Sequence, residues 1–222
     1  MENQNKKTKQ LDIKKLVGMA TFSALAYAVT FVFRIPVQFL TFDAKDAILT
    51  IAAFIYGPLS AIIMSFIPAF IEFISIGSNT GFWGMFMNFV SSATFSFTAS
   101  VIYKYKRSFN GAIIGLYAAV IVTTLVMIPM NLLVTPIFMD APRAVVIDFL
   151  PTLILPFNLA KSLMNAAITM LIYKPVSLAM KRAHLIPGKV DVKFNKQSVI
   201  MLIVGAVTLT AAITIFIILK TK

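Results

Sequence analysis

The sequence predicts an all-α protein that crosses a membrane several times. Three observations carry this. Of the 222 residues, 59% are hydrophobic and 13% are charged, about half the charge of a typical soluble domain. Residues 16–33, 108–139 and 197–219 contain no charge, and residues 47–103 contain only Glu72. The mean hydropathy is +0.89, more apolar surface than one soluble core of this size could hide, and the same composition excludes disorder. A bilayer crossing takes roughly 20 apolar residues, so several spans are expected.

Span one is read over residues 16–33. The basic segment before it, residues 1–15, and the lack of a small-residue cleavage site after it mark a retained span rather than a signal peptide. Residues 34–46 (RIPVQFLTFDAKD) interrupt the pattern with Pro36, Asp43, Lys45 and Asp46 and read as a loop. The next apolar run, 47–76, would make a single helix of about 45 Å, too long for one crossing. Tyr56-Gly57-Pro58 lies inside it, and Gly-Pro is a strong breaker. The run therefore divides into a short span two, 43–56, and a span three, 58–76. SIGSNTG (75–81) reads as a turn, followed by span four (82–103) and span five (111–138). MDAPRAVVIDFLP reads as a loop before span six, 152–173, which extends as far as Lys181. A polar linker, HLIPGKVDVKFNKQ, precedes a last apolar run, 198–219. The expected organisation is a six-span domain over 16–186, then over 187–222 a basic linker and a seventh, C-terminal transmembrane helix.

The net charge of +12 comes from 20 Lys and Arg against 8 Asp and Glu. No helix gathers these cations into a basic face, so nucleic acid is not the expected partner. The cations sit in short loops, where they set topology. With a cytoplasmic N-terminus, the inner segments hold Lys6, Lys7, Lys9, Lys14, Lys15, Lys104, Lys106, Arg107, Lys174, Lys181, Arg182, Lys189, Lys193 and Lys196. The outer ones hold Arg34, Lys45, Arg143, Lys220 and Lys222. Merging spans two and three would move Lys104, Lys106 and Arg107 outside, which favours the division at Gly57-Pro58.

Polar residues at membrane depth are the informative ones. Glu72, Asn88 and Asn131 fall near the outer ends of spans three, four and five. Asn158, Lys161 and Asn165 share one face of span six by their i, i+3, i+7 spacing. Gathered at one depth, the six suit a pocket open to the outside. Two other readings stand beside this: each Asn serves as hydrogen-bonding glue between helices, and Glu72 and Lys161 form a structural ion pair. Phe39, Phe42, Trp83 and Phe86 sit near the outer mouth. The segment 38–46 is either a solvated connector or a lid that lays Phe39, Leu40 and Phe42 over a ligand while Asp43, Lys45 and Asp46 stay in water. In span one, Ala20, Ala24 and Ala28 form a small-residue face that permits close helix approach, either to a partner or within the bundle.

No P-loop, H-E-x-x-H or G-x-S-x-G motif occurs, there is no cysteine, and the single histidine, His184, lies in the basic linker. No catalytic site, metal site or resident cofactor is expected, and the protein is not expected to be an enzyme.

The stretches TFDAKDAILTIAAFIYGP (residues 41–58) and LPFNLAKSLMNA (residues 155–166) resemble the riboflavin-specific S components of energy-coupling factor (ECF) transporters. The resemblance covers about residues 10–186. It implies a six-helix S-component bundle in a bacterial cell membrane that takes riboflavin from outside. Leu40, Phe42, Asp43, Glu72, Trp83, Asn88, Asn131, Asn158, Lys161 and Asn165 are the substrate-binding candidates. The Ala20, Ala24 and Ala28 face resembles the family's docking motif, which implies a transmembrane coupling subunit and two ATPase subunits as partners, with ATP spent by the latter. The final helix lies outside the six-span pattern. Two alternatives stay open: an S component for another vitamin, and a self-sufficient small-solute carrier.

Overall fold

The computed structural model describes residues 2–75, 80–182 and 196–221, with side chains described from Ile13 onward. The turn expected at 75–81 lies mostly outside the described residues, as do most of the polar linker and His184. The chain is a helical bundle: α1 (Glu2–Val32), a two-stranded hairpin of β1 (Ile35–Val37) and β2 (Leu40–Phe42), α2 (Lys45–Tyr56), α3 (Pro58–Ser75), α4 (Gly81–Tyr105), α5 (Phe109–Met139), α6 (Arg143–Phe149), a π-helical turn (Leu150–Ile154), α7 (Leu155–Arg182) and α8 (Lys196–Thr221). Among the described residues, six stretches are long and apolar enough to span a membrane: Ile13–Val32, Pro58–Ser75, Gly81–Tyr105, Phe109–Met139, Arg143–Arg182 and Lys196–Thr221.

The division of the second apolar run falls where Gly57 and Pro58 place it. Gly57 closes α2 with φ +96° and ψ 169°, a region open only to glycine. Pro58 is the first residue of α3, a position where its missing N–H costs nothing. The resulting α2 has 12 residues and is about 18 Å long, short of the roughly 30 Å hydrocarbon core. At the start of α5, the Ser108 hydroxyl accepts from the Gly111 N–H at 3.1 Å, a side-chain N-cap.

Two expected loops are ordered instead. Residues 34–46 fold into an antiparallel hairpin with Ile35 opposite Phe42 and Val37 opposite Leu40, turned at Gln38 with φ 54°. MDAPRAVVIDFLP is helical from Arg143 and runs through the π turn into α7. Pro142 begins this helix as its N-cap and Pro151 falls inside the wider π turn, so neither proline stops it.

The bundle packs most extensively between α4 and α5 and between α7 and α8. Small residues bring these helices close: a Cβ placed on Gly115 of α5 would stand 2.7 Å from the Ala99 carbonyl oxygen of α4, and one on Gly205 of α8 would stand 3.1 Å from Met170 Cβ of α7. The last helix, α8, is thus part of the bundle, with the Tyr117 and Thr208 hydroxyls 2.6 Å apart. Gly→Ala inside a helix ordinarily stabilises by about 1 kcal/mol. Gly115→Ala should do the reverse, costing about 1–3 kcal/mol because the carbonyl in its way is main chain. A thermal melt in detergent should show the lower midpoint.

Candidate functional site

Three acids and three bases meet where the hairpin enters α2. The Lys161 Nζ of α7 donates to Asp43 Oδ2 at 2.8 Å and to the Thr41 carbonyl at 3.4 Å. The Lys45 Nζ donates to Glu72 Oε2 of α3 at 2.9 Å and lies 3.6 Å from Asp43 Oδ2. Arg34 approaches Glu72 Oε1 at 3.8 Å. Asn88 of α4 donates to Glu72 Oε2 at 3.0 Å. Asp46 accepts from the Ser92 hydroxyl of α4. Three positive and three negative side chains therefore balance, which is the condition for holding them out of water.

This corrects two expectations. Asp43, Lys45 and Asp46 do not stay in water: they are 0%, 0% and 3% exposed. Nor does Glu72 pair with Lys161; Glu72 takes Lys45 and Arg34, and Lys161 takes Asp43. The lid reading of 38–46 assigned its rings and charges to opposite environments, but both turn inward.

A cavity opens beside this cluster, with about 750 Å³ of space outside protein atoms when its mouth is included. Phe39, Leu40 and Thr41 of the hairpin roof it. Its apolar walls include Phe73, Met85, Met87, Met127, Phe138 and Phe157, and its polar strip is Arg34, Glu72, Asn88, Ser91, Asn158 and Lys161. Phe39 holds the roof against α5 and α6 through Phe138 and Phe149, with ring centres 5.8 Å and 6.2 Å away. The Asn158 Nδ2 donates to the Ile154 carbonyl at 2.8 Å, and among the described residues no donor reaches its Oδ1. Such a cavity suits a flat ligand with an apolar body and several hydrogen-bonding groups. Among the described residues no cluster of His, Cys, Asp and Glu suits a metal ion.

Of the ten candidate residues, Leu40, Glu72, Asn88, Asn158 and Lys161 line the cavity. Phe42 packs behind the roof, 6.0 Å from Phe157 and 4.7 Å from Phe216 of α8 by ring centre. Asp43 is fully buried behind Lys161. Trp83 packs edge-on against Phe82. Asn131 turns back onto its own helix, donating to the Met127 carbonyl and accepting from Thr135. Asn165 serves α2. That helix begins after Ala44 with no side-chain cap of its own, and Asn165 accepts from the Ala47 N–H at 2.9 Å while donating to the Asp43 carbonyl at 3.0 Å. Beside the local contact of the Lys45 N–H with Asp43 Oδ1 at 3.4 Å, it supplies a second acceptor to this first turn from across the bundle. Lys45 and Arg34 are the residues that sequence reasoning missed; no signal in the sequence marks them, because charges beside an apolar run read as a solvated end, and only the buried acids Asp43, Asp46 and Glu72 of the structure call for them. Ala20, Ala24 and Ala28 are exposed, while Met19, Phe22, Ser23, Ala26 and Thr30 form the buried face of α1. Packing inside the bundle is therefore not the purpose of the alanine face.

A short helix pinned among longer spans by buried charges, roofed by a hairpin and next to an amphipathic cavity, defines a membrane-embedded solute-binding protein. Residues 14–173 match the family described as ECF transporter, substrate-specific component, and the chain belongs to that family, as a multi-pass membrane protein. Its relatives include the riboflavin transporter RibU of Staphylococcus aureus (strain TCH60), 32% identical, covering 81% of this chain and 99% of the relative. The riboflavin transporter FmnP of Bacillus subtilis (strain 168) is 28% identical, covering 79% and 100%. A solved structure titled "Structure and mechanism of the S component of a bacterial ECF transporter" superposes with a TM-score of 0.66 at 30% identity, covering 77% of this chain and 99% of that one.

Lys45→Met should be among the most damaging single changes in the chain, since it leaves Asp43 and Glu72 each short of a countercharge. Breaking a buried pair in this way costs about 3–5 kcal/mol, or roughly 10 °C in melting midpoint. The fluorescence of Trp83, the single tryptophan, reports the melt, and Lys220→Met at the exposed end of α8 should leave it unmoved.

Proposed function

We propose that this chain binds riboflavin from outside the cell and hands it to an ECF module, in which a transmembrane coupling subunit and two ATPase subunits spend ATP to import it. The observation that carries the reading is the polar strip of Glu72, Asn88, Asn158 and Lys161 facing apolar, ring-lined walls in one cavity. The names of the two riboflavin-transporting relatives support the choice of ligand. Riboflavin is uncharged, with a flat ring system, an imide edge and a polyhydroxyl chain. The phenylalanines and methionines suit the ring. The Asn158 Oδ1 suits the imide N–H, Lys161 suits a ring carbonyl, and Glu72 with Asn88 suits the hydroxyls. The distribution of Lys and Arg supports a cytoplasmic N-terminus, which turns the cavity outward. The sequence holds no P-loop, so in this reading ATP hydrolysis is supplied by another subunit.

Protein purified from cells should carry a flavin absorbance band, and a fluorescence-quenching titration should saturate at one riboflavin per chain. Asn158→Ala removes a ligand-facing acceptor while leaving the charge cluster intact. The loss of such a partner costs about 1–3 kcal/mol, a roughly 5- to 150-fold weaker Kd. Wild-type affinity in this variant would place the imide contact elsewhere, and no saturable quenching in the wild type would refute riboflavin as the ligand.

The exposed alanines of α1 suit close approach by a helix of the coupling subunit. Ala24→Trp should abolish uptake in whole cells while the purified variant still binds riboflavin, because residue 24 points out of the bundle. Loss of both would show that the substitution damages the fold instead.

A further inference from the structure

A second cavity lies at the opposite end of the bundle, between the start of the α1 span, the α2–α3 turn and the end of α4. It holds about 1240 Å³ of space with its mouth included. Lys15, Lys104 and Arg107 line it, and among the described residues no acid does. All three are exposed, and among the described residues none of them is in an ion pair. These cations sit where three spans end: the apolar part of α1 begins at Ile13, α3 begins at Pro58, and α4 ends at Tyr105. The cavity is therefore at the boundary between hydrocarbon and headgroups.

Its other rim is apolar. Leu16, Leu59 and Ile63 line it and are 64%, 73% and 53% exposed, so they face lipid chains. Tyr56 completes the wall between the two rims, with its hydroxyl buried over Gly18 of α1. The Tyr103 hydroxyl is already engaged, 2.9 Å from that of Tyr173. A ligand that satisfies both rims must carry an anion at one end and apolar chains at the other. We infer that this cavity is a binding site for an anionic phospholipid, with the phosphate held by Lys15, Lys104 and Arg107 and the acyl chains lying along Leu59 and Ile63. Basic pockets between spans at this level select anionic headgroups. A free phosphate would engage the cations and leave the apolar rim unused.

The test uses the full chain in detergent micelles, with phosphatidylglycerol, phosphatidylcholine or inorganic phosphate added in turn. Native mass spectrometry should show one phosphatidylglycerol retained per chain, and a thermal melt should rise by several degrees with that lipid alone. The variant Lys15→Gln/Lys104→Gln/Arg107→Gln should lose retention at least tenfold. Lys104→Arg/Arg107→Lys should keep it, and so should Lys181→Gln/Arg182→Gln at the end of α7, which changes charge at the same membrane level outside the cavity. Equal retention of both lipids, unchanged retention in the triple variant, or an equal rise in melting midpoint with inorganic phosphate would overturn the proposal.

Discussion

The constraint on which the rest of the structure depends is the neutral cluster formed by Arg34, Asp43, Lys45, Asp46, Glu72 and Lys161. An α2 of 12 residues has too little apolar length to hold itself across a bilayer. Its position is fixed at its first turn, where Lys45 reaches α3, Asp46 reaches α4, and Asp43 with the Ala47 N–H reaches α7. Because β2 ends at Phe42, one residue before this cluster, the hairpin is placed by the same contacts. The roof of the cavity, the register of α2 and the orientation of Lys161 are thus consequences of one charge balance. The balance is also what makes it tolerable, since any member removed leaves an uncompensated charge in low dielectric.

Much of the fold was legible because it follows from one-dimensional patterns. Charge-free runs gave the long spans, and Gly57-Pro58 divided the second run at the residue where the backbone takes φ +96°. The hairpin was not legible. Its strands have three residues each, and its turn carries Gln38 at positive φ rather than the glycine or asparagine that would announce it. The helical start of α6 was hidden for a related reason: Pro142 and Pro151 look like breakers, yet one stands at an N-cap and the other inside a π turn that tolerates it.

The site was half legible. The i, i+3, i+7 spacing correctly joined Asn158, Lys161 and Asn165 on one face, but spacing does not say what lies opposite each residue. Moving along α7, Asn158 meets the cavity, Lys161 meets both the cavity and Asp43, and Asn165 meets the first turn of α2. The burial of Asp43, Lys45 and Asp46 was invisible for a deeper reason. A charge beside an apolar run is ordinarily a solvated end, and only a tertiary partner 118 residues away, Lys161 for Asp43, reverses that.

That separation bears on how the protein is made. When residues 43–56 leave the ribosome, Lys161 does not yet exist. Until α7 is made, Asp43, Asp46 and Glu72 have only Arg34 and Lys45 to offset them, one cation fewer than acids, and an unpaired charge is costly to hold in the bilayer. Synthesis of α7 supplies Lys161 and Asn165, which complete the charge balance and the hydrogen bonding around the first turn of α2. The contacts that seat the hairpin and the first turn of α2 are thus completed by residues translated 118 positions later.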